Sequence, residues 1–404
     1  MSEWKKVKLG ELYEVHNGLS KGRQFFGSGY PFLTFSTVFN NYFLPKELDS
    51  LVQSSEKERE ACSIRKGDVF ITRTSETMDE LGMSSVALRD YLDATYNGFT
   101  KRLRPKTDDI IPEYIGYYLR SPKFRGKFMA FSTMTTRASL ANGDLLGMEV
   151  ELPSKEEQHR IATILSRYDS LIENYQKQIK LLEEAAQRLY KEWFVDLHFP
   201  GHENTKIVDG VPEGWEKKKV GEIGKVITGK TPSTANKENY GGRIPFITIP
   251  DMHTGIYPTS SQFLSDLGAN SQSAKFIPVN SLMVSCIGTA GLVCITKEKC
   301  QTNQQINSLV LNDTSLLYYL YNTFLSLKEH LNNIGSNGAT MTNVNKTKFE
   351  SIDILIPTTS IYYLYNEAVK QSFISIKVLS SQIRLLTEAR DRLLPKLMSG
   401  EIAV

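Results

Sequence analysis

The 404-residue chain carries the same opening twice. Trp4 is followed by Leu9-Gly10-Glu11-Leu12, Val15 and Gly18. Trp215 is followed by Val220-Gly221-Glu222-Ile223, Val226 and Gly229, and every pair is offset by 211 residues. Tyr30-Pro31-Phe32-Leu33-Thr34 is answered by Ile244-Pro245-Phe246-Ile247-Thr248 at an offset of 214, and Glu151-Leu152-Pro153 by Leu355-Ile356-Pro357 at 204. The offset of 204 then persists, so that Ile179, Leu181, Leu182, Glu184, Arg188 and Leu189 return as Ile383, Leu385, Leu386, Glu388, Arg392 and Leu393. A period near 200 residues is far longer than any solenoid repeat, so it implies two domain-sized units, each followed by a helix.

The helices carry a seam. Ile161, Leu165, Tyr168, Ile172, Tyr175, Ile179, Leu182, Ala186, Leu189 and Trp193 alternate spacings of four and three, the pattern of a coiled-coil face. Pro153-Ser154 with Glu156 and Glu157 reads as a capped start and Pro200-Gly201 as a stop. The second seam runs Tyr365, Val369, Ser372, Ile376, Leu379, Ile383, Leu386, Arg390, Leu393 and Leu397, interrupted by Ser372 and Arg390. The interruptions suggest looser pairing or a face turned to a partner protein. Two such helices separated by one globular unit suit antiparallel packing, with the globular units at opposite ends. The alternative is that each helix packs on its own domain.

Short apolar runs such as Val69-Phe70-Ile71, Leu282-Met283-Val284 and Ile352 to Ile356 read as strands between Gly, Pro, Asn and Ser clusters. Tyr114 to Arg120 and Leu316 to Leu327 read as short helices. The fold class is therefore α+β: two tandem mixed domains separated by two long antiparallel coiled-coil helices in a pseudo-twofold repeat. The expected boundaries are a domain at 1–153, a helix at 154–198, a domain at 199–357 and a helix at 358–404. With 40% hydrophobic and 23% charged residues, and no apolar run of the ~20 residues a membrane span needs, the chain reads as a soluble cytoplasmic protein. Cys62, Cys286, Cys294 and Cys300 form no metal-ligand spacing, so no metal site is expected.

Gly224-Lys-Val-Ile-Thr-Gly229-Lys230-Thr231 satisfies the phosphate-loop expression, yet a phosphate loop needs a helix opening at its threonine. Pro232-Ser-Thr-Ala-Asn follows instead, which argues against a nucleotide site at Lys230. His198 and His202 have ligand spacing, but the intervening Pro200 and Gly201 break the helix that would align them. No nucleophile elbow, Cys–His pair or amino-methyltransferase motif is evident, so no catalytic residue is expected.

What remains is polar and basic side chains in loops, the groups that contact phosphates and base edges. In the first unit these are Lys21, Arg23, Ser36, Thr37, Arg73, Thr74, Lys101, Arg102 and Arg137. In the second they are Lys230, Thr231, Arg243, Thr248, Asn303, Gln304, Gln305, Asn307, Asn343 and Asn345. Arginine suits guanine, while Asn and Gln suit adenine. The net charge of +3 permits nucleic-acid binding without requiring it.

Together with the repeat, three motifs resemble the specificity subunits of Type I restriction–modification systems over essentially the whole chain. They are the paired openings at Trp4 and Trp215, the closing Pro153-Ser-Lys-Glu-Glu157-Gln158-His-Arg-Ile161-Ala162, and the terminal Leu393-Leu-Pro395-Lys-Leu397-Met-Ser-Gly400-Glu401-Ile402. The second copy departs at Pro357-Thr-Thr-Ser-Ile-Tyr-Tyr-Leu, so contacts made by the Glu-Gln motif are expected to be one-sided. The resemblance implies two target-recognition domains reading a split site on double-stranded DNA, with the helices as a ruler. It also implies docking of two methyltransferase subunits and, in the full complex, restriction/translocase subunits. S-adenosylmethionine, ATP and magnesium would bind those partners, leaving this chain with no cofactor. The alternatives are a coiled-coil protein–protein scaffold without a DNA role, separable by salt-sensitive retention on DNA, and a nucleotide-dependent enzyme acting through Lys230.

Overall fold

The computed structural model describes residues 4–75, 80–131, 138–139, 141–336 and 343–404; of 74–75, 130–131, 138–139 and 336 it describes the backbone alone. The chain divides into two compact units, residues 1–172 with 385–404, and residues 173–384. The long central helix, Lys155–Tyr190, and the C-terminal helix, Thr359–Met398, each contribute a part to either unit. Among the described residues no helix is long and apolar enough to cross a membrane.

Unit one is built on a four-stranded antiparallel sheet in the order Tyr13–Asn17, Thr100–Pro105, Val69–Thr72, Ser84–Val86. A second sheet places Phe26–Leu33 between Leu51–Val52 (antiparallel) and Thr95–Tyr96 (parallel). Lys5–Lys8 pairs antiparallel with Glu149–Leu152, joining the start of the globular region to its end. Strand alternation divides the core: Val69 and Ile71 enter one cluster with Leu103, Tyr114 and Tyr117, while Phe70 enters another with Leu33 and Tyr96.

Unit two repeats this topology strand for strand. The order is Gly224–Thr228, Ile306–Leu311, Leu282–Ser285, Val293–Ile295. Tyr240–Ile247 lies between Gln262–Leu264 (antiparallel) and Gln301–Thr302 (parallel), and Glu216–Lys219 pairs with Asp353–Ile356. Leu282 and Val284 face one core and Met283 the other. The expected runs at Val69, Leu282 and Ile352 are thus strands, and the short helices are Pro112–Tyr118 and Leu317–Ser326.

Each long helix is anchored at its start. Ser154 caps the central helix by accepting from the Glu157 amide at 3.3 Å. Gln158, 1% exposed, accepts from the Ile111 amide at 2.9 Å and donates to the carbonyls of Asp109 and Pro153 at 3.0 and 3.1 Å. In unit two Tyr362 stands 204 residues on and donates to the Asp313 carboxylate at 2.9 Å. The anchoring is therefore not one-sided: a phenol replaces the amide and reaches the equivalent segment.

The seam is buried at Ile161, Leu165, Ile376 and Leu397, and half-buried at Ile172, Ile179, Leu182, Leu189, Leu379, Ile383, Leu386 and Leu393. Its two interruptions are filled. Beside half-buried Ser372, Phe373 turns into the core of unit two and stacks on Tyr318 at 4.1 Å. In unit one Arg390 pairs with Asp169 at 2.6 Å and Asp391 at 2.8 Å, and its guanidinium lies 5.5 Å from the centre of the Tyr42 ring. These paired carboxylates and the hydrogen bonds to them hold Arg390 cationic against the cost of its burial. The central helix ends in a π turn, Lys191–Val195, before Pro200.

All four cysteines are buried and unpaired. Burial pushes the thiols of Cys286, Cys294 and Cys300 up to about 12 and raises that of Cys62. At pH 8 roughly one in ten thousand of the first three is thiolate. The native chain should therefore resist iodoacetamide at pH 8 and take up four equivalents in denaturant, a difference that intact-mass measurement reads directly.

Candidate nucleic-acid interface

In each unit three segments converge at one end of the four-stranded sheet. In unit one they are the end of the strand Tyr13–Asn17, the loop 97–99 and the strand-end residue Arg73. The Leu19 amide donates to the Tyr96 carbonyl at 2.8 Å and the Gly98 amide to the Leu19 carbonyl at 2.9 Å. Gly18 permits this approach, since a Cβ there would stand 2.2 Å from the Asn97 carbonyl oxygen. Asn97 shapes the loop, its side-chain oxygen accepting from the Phe99 amide at 2.7 Å. The Arg73 amide donates to the Phe99 carbonyl at 3.0 Å.

Unit two uses the same frame. The Lys230 amide donates to the Thr302 carbonyl at 2.9 Å, and a Cβ on Gly229 would stand 2.1 Å from the Asn303 carbonyl oxygen. Asn303 accepts from the Gln305 amide at 3.1 Å, and the Cys286 amide donates to the Gln305 carbonyl at 2.8 Å. The apparent phosphate loop is thereby explained. Gly224–Thr228 is a strand, Gly229 is the close-approach glycine, and the segment from Lys230 to Asn236 contains no helix.

The frame is shared but its side chains are not. Unit one presents Asn17, Arg73, Phe99 and Lys101. Arg73 donates to Asn17 Oδ1 at 3.4 Å, and Lys101, buried, donates to Asn142 Oδ1. Burial, and then the neighbouring Arg73 charge, hold the Lys101 ammonium below its usual range. Unit two presents exposed Lys230 and Gln304, with Thr231 donating to Gln304 Oε1 at 2.6 Å and Gln305 half-buried beside them.

The other expected residues fall into three groups. Arg23, Ser36, Arg243 and Asn343 are exposed, and Lys21 is half-buried, pairing with Glu58 at 2.8 Å. Several are occupied by local structure. Thr37 shares a hydrogen bond with the cap residue Thr34, Thr248 closes a capping box with Asp251, Asn303 forms its turn, and Asn345 caps a helix by accepting from the Lys348 amide at 2.9 Å. Two face inward, contrary to the expectation of exposed loop groups. Arg102 is 3% exposed and donates to the carbonyls of Ala61 and Ser63. Asn307 is 2% exposed, donates to the Val344 carbonyl and accepts from Thr228. Both lie within strands, where side chains alternate between faces. The Thr74 side chain and Arg137 lie outside the described residues. Residue polarity does not select Phe99; the sequence signal for its position is the shared asparagine two places earlier, Asn97 and Asn303.

The family model for the Type I restriction modification DNA specificity domain matches twice, at residues 1–184 and 212–387. The chain is 31% identical to the Type I restriction enzyme HindI specificity subunit of Haemophilus influenzae across the whole of both chains. It is 28% identical to the MjaIX specificity subunit of Methanocaldococcus jannaschii, covering all of this chain and 94% of that one. A crystal structure of a Type-I restriction-modification system S subunit from M. genitalium shares the fold, with a TM-score of 0.62 at 15% identity over 98% of this chain and 96% of that one. With two matched domains and full-length relatives, this chain belongs to the family of Type I restriction–modification specificity subunits.

Proposed function

We propose that this chain is the non-catalytic DNA-reading subunit of a Type I restriction–modification complex, with residues 1–153 and 199–357 each reading one half of a bipartite duplex target. One observation carries the reading: two units share a hydrogen-bonded loop frame and differ in the side chains it presents. A duplicated scaffold with divergent tips suits two unlike half-sites, and base contacts are what specify sequence.

The helices act as the ruler for the unread spacer. At about 1.5 Å per residue, their 36 and 40 residues extend about 54 and 60 Å, the scale of nearly two turns of duplex at about 34 Å each. They also dock two methyltransferase subunits. Leu171, Leu181, Ile374, Val378 and Leu385, each more than 40% exposed along these helices, suit that role. S-adenosylmethionine, ATP and magnesium belong to the methyltransferase and restriction/translocase partners.

The test is methylome sequencing of cells carrying the chain with its methyltransferase, against a deletion of the chain. A bipartite motif that vanishes on deletion is expected. Exchange of residues 1–153 should then change one half-site only, and a swap that altered both halves would overturn the modular reading.

A further inference from the structure

Phe99 is out of keeping with its surroundings. Its ring is 60% exposed, yet its loop is pinned at every turn. Asn97 holds the Phe99 amide at 2.7 Å and its carbonyl accepts from Thr100 Oγ1 at 2.7 Å, the Leu19 carbonyl holds the Gly98 amide, and the Arg73 amide holds the Phe99 carbonyl. The backbone that carries the ring is thereby fixed. Arg73, half-buried, adjoins the loop through its amide bond to the Phe99 carbonyl, and Lys101, two residues on, is buried and bonded to Asn142. An exposed ring on a fixed tip beside the Arg73 cation calls for a ligand that is apolar at its centre and anionic at its edge. A base pair between its phosphates is such a ligand.

We infer that Phe99 is a specificity-determining residue of unit one, pressing its ring on the apolar surface of a base in that half-site. The same position of the frame in unit two is half-buried Gln305, whose side-chain oxygen accepts from Asn303 Nδ2 at 3.0 Å and whose amide NH2 is what it offers its half-site instead. One backbone position thus reads the two halves in different chemistries: stacking or methyl contact from Phe99, and hydrogen bonding, suited to adenine, from Gln305. This assignment rests on the DNA-reading function proposed above and adds to it a residue that polarity alone would not select.

The apolar surface could be a thymine methyl in the groove or the face of an unstacked base. The complex of this chain with its methyltransferase subunits tests both, using a duplex library randomised in each half-site. Phe99→Ala should weaken methylation roughly ten- to hundredfold and broaden base preference in one half only. Phe99→Trp, which keeps the ring surface, should retain most of the activity, and Gln305→Ala should broaden the opposite half. Thymine-to-uracil replacement that reproduces the Phe99→Ala loss identifies the methyl as the contact. A 2-aminopurine that brightens with the wild-type chain and not with Phe99→Ala identifies an unstacked base. If Phe99→Ala leaves base preference intact, or if both variants disturb the same half, the assignment is overturned. If the wild-type complex methylates no chain-dependent motif, the DNA-reading function itself fails, and that outcome is seen before any variant is made.

Discussion

Replacing Asp68 by alanine should destabilise unit one by roughly 2–4 kcal/mol, the cost of leaving a largely buried cation without its partner and a turn without its acceptor. Asp68 is fully buried, and its two oxygens meet Arg104 Nε at 2.8 Å and Nη2 at 2.6 Å. It also accepts from the Arg65 amide at 2.7 Å, closing the turn that leads into the strand Val69–Thr72. The hydrogen bond to Asp68 is the chief cause holding the Arg104 guanidinium above its ordinary range. Alanine would remove the counter-charge and the turn's acceptor together. Urea unfolding of the intact chain, followed by tryptophan fluorescence in which Trp4 belongs to this unit and Trp193 and Trp215 to the other, reads the change. A loss below about 1 kcal/mol would show that water replaces the carboxylate and that the pair is not a buried one.

The second large effect is expected at Gly18. Even alanine places its Cβ 2.2 Å from the Asn97 carbonyl oxygen and 2.6 Å from the carbonyl carbon, far inside contact distance. The loop carrying Asn97, Gly98 and Phe99 must move, and its bond to Leu19 must lengthen. Overpacking of this kind costs about 1–3 kcal/mol of stability. The functional loss should be confined to one half-site. Losing a single base contact costs about 1–3 kcal/mol, or roughly ten- to hundredfold in affinity. Gly229→Ala should do the same to the other half-site through Asn303. Methylation rates on duplexes altered in one half at a time would show this; equal damage to both halves from Gly18→Ala would rule it out.

Much of the fold was legible because duplication leaves a numerical trace. The offsets of 211, 214 and 204 mark the duplication, and with it the mixed fold of two repeated domains and long helices. Strand order was not legible, since the middle strands of each sheet pair with partners far away in sequence. The interruptions of the second seam were visible, but not their resolution. Phe373 beside Ser372, and Asp169 waiting for Arg390, are facts of three-dimensional packing. At the candidate interface, residue type alone drew in Arg102, Asn307 and Asn345, whose polar groups serve strands and a helix end. A buried polar side chain must be satisfied within the protein, and sequence does not say which ones are buried.

The doubled glycine–asparagine frame has a consequence for descent. Most of the bonds that hold each loop run through backbone amides and carbonyls and the shared asparagine, and in unit one none of them uses the side chain at the tip. Substitution at Phe99 or Gln305 can rewrite what is recognised without reopening the question of whether the domain folds. A lineage under pressure to change its target can therefore drift through many dialects while keeping one grammar, and its two halves can change independently of each other.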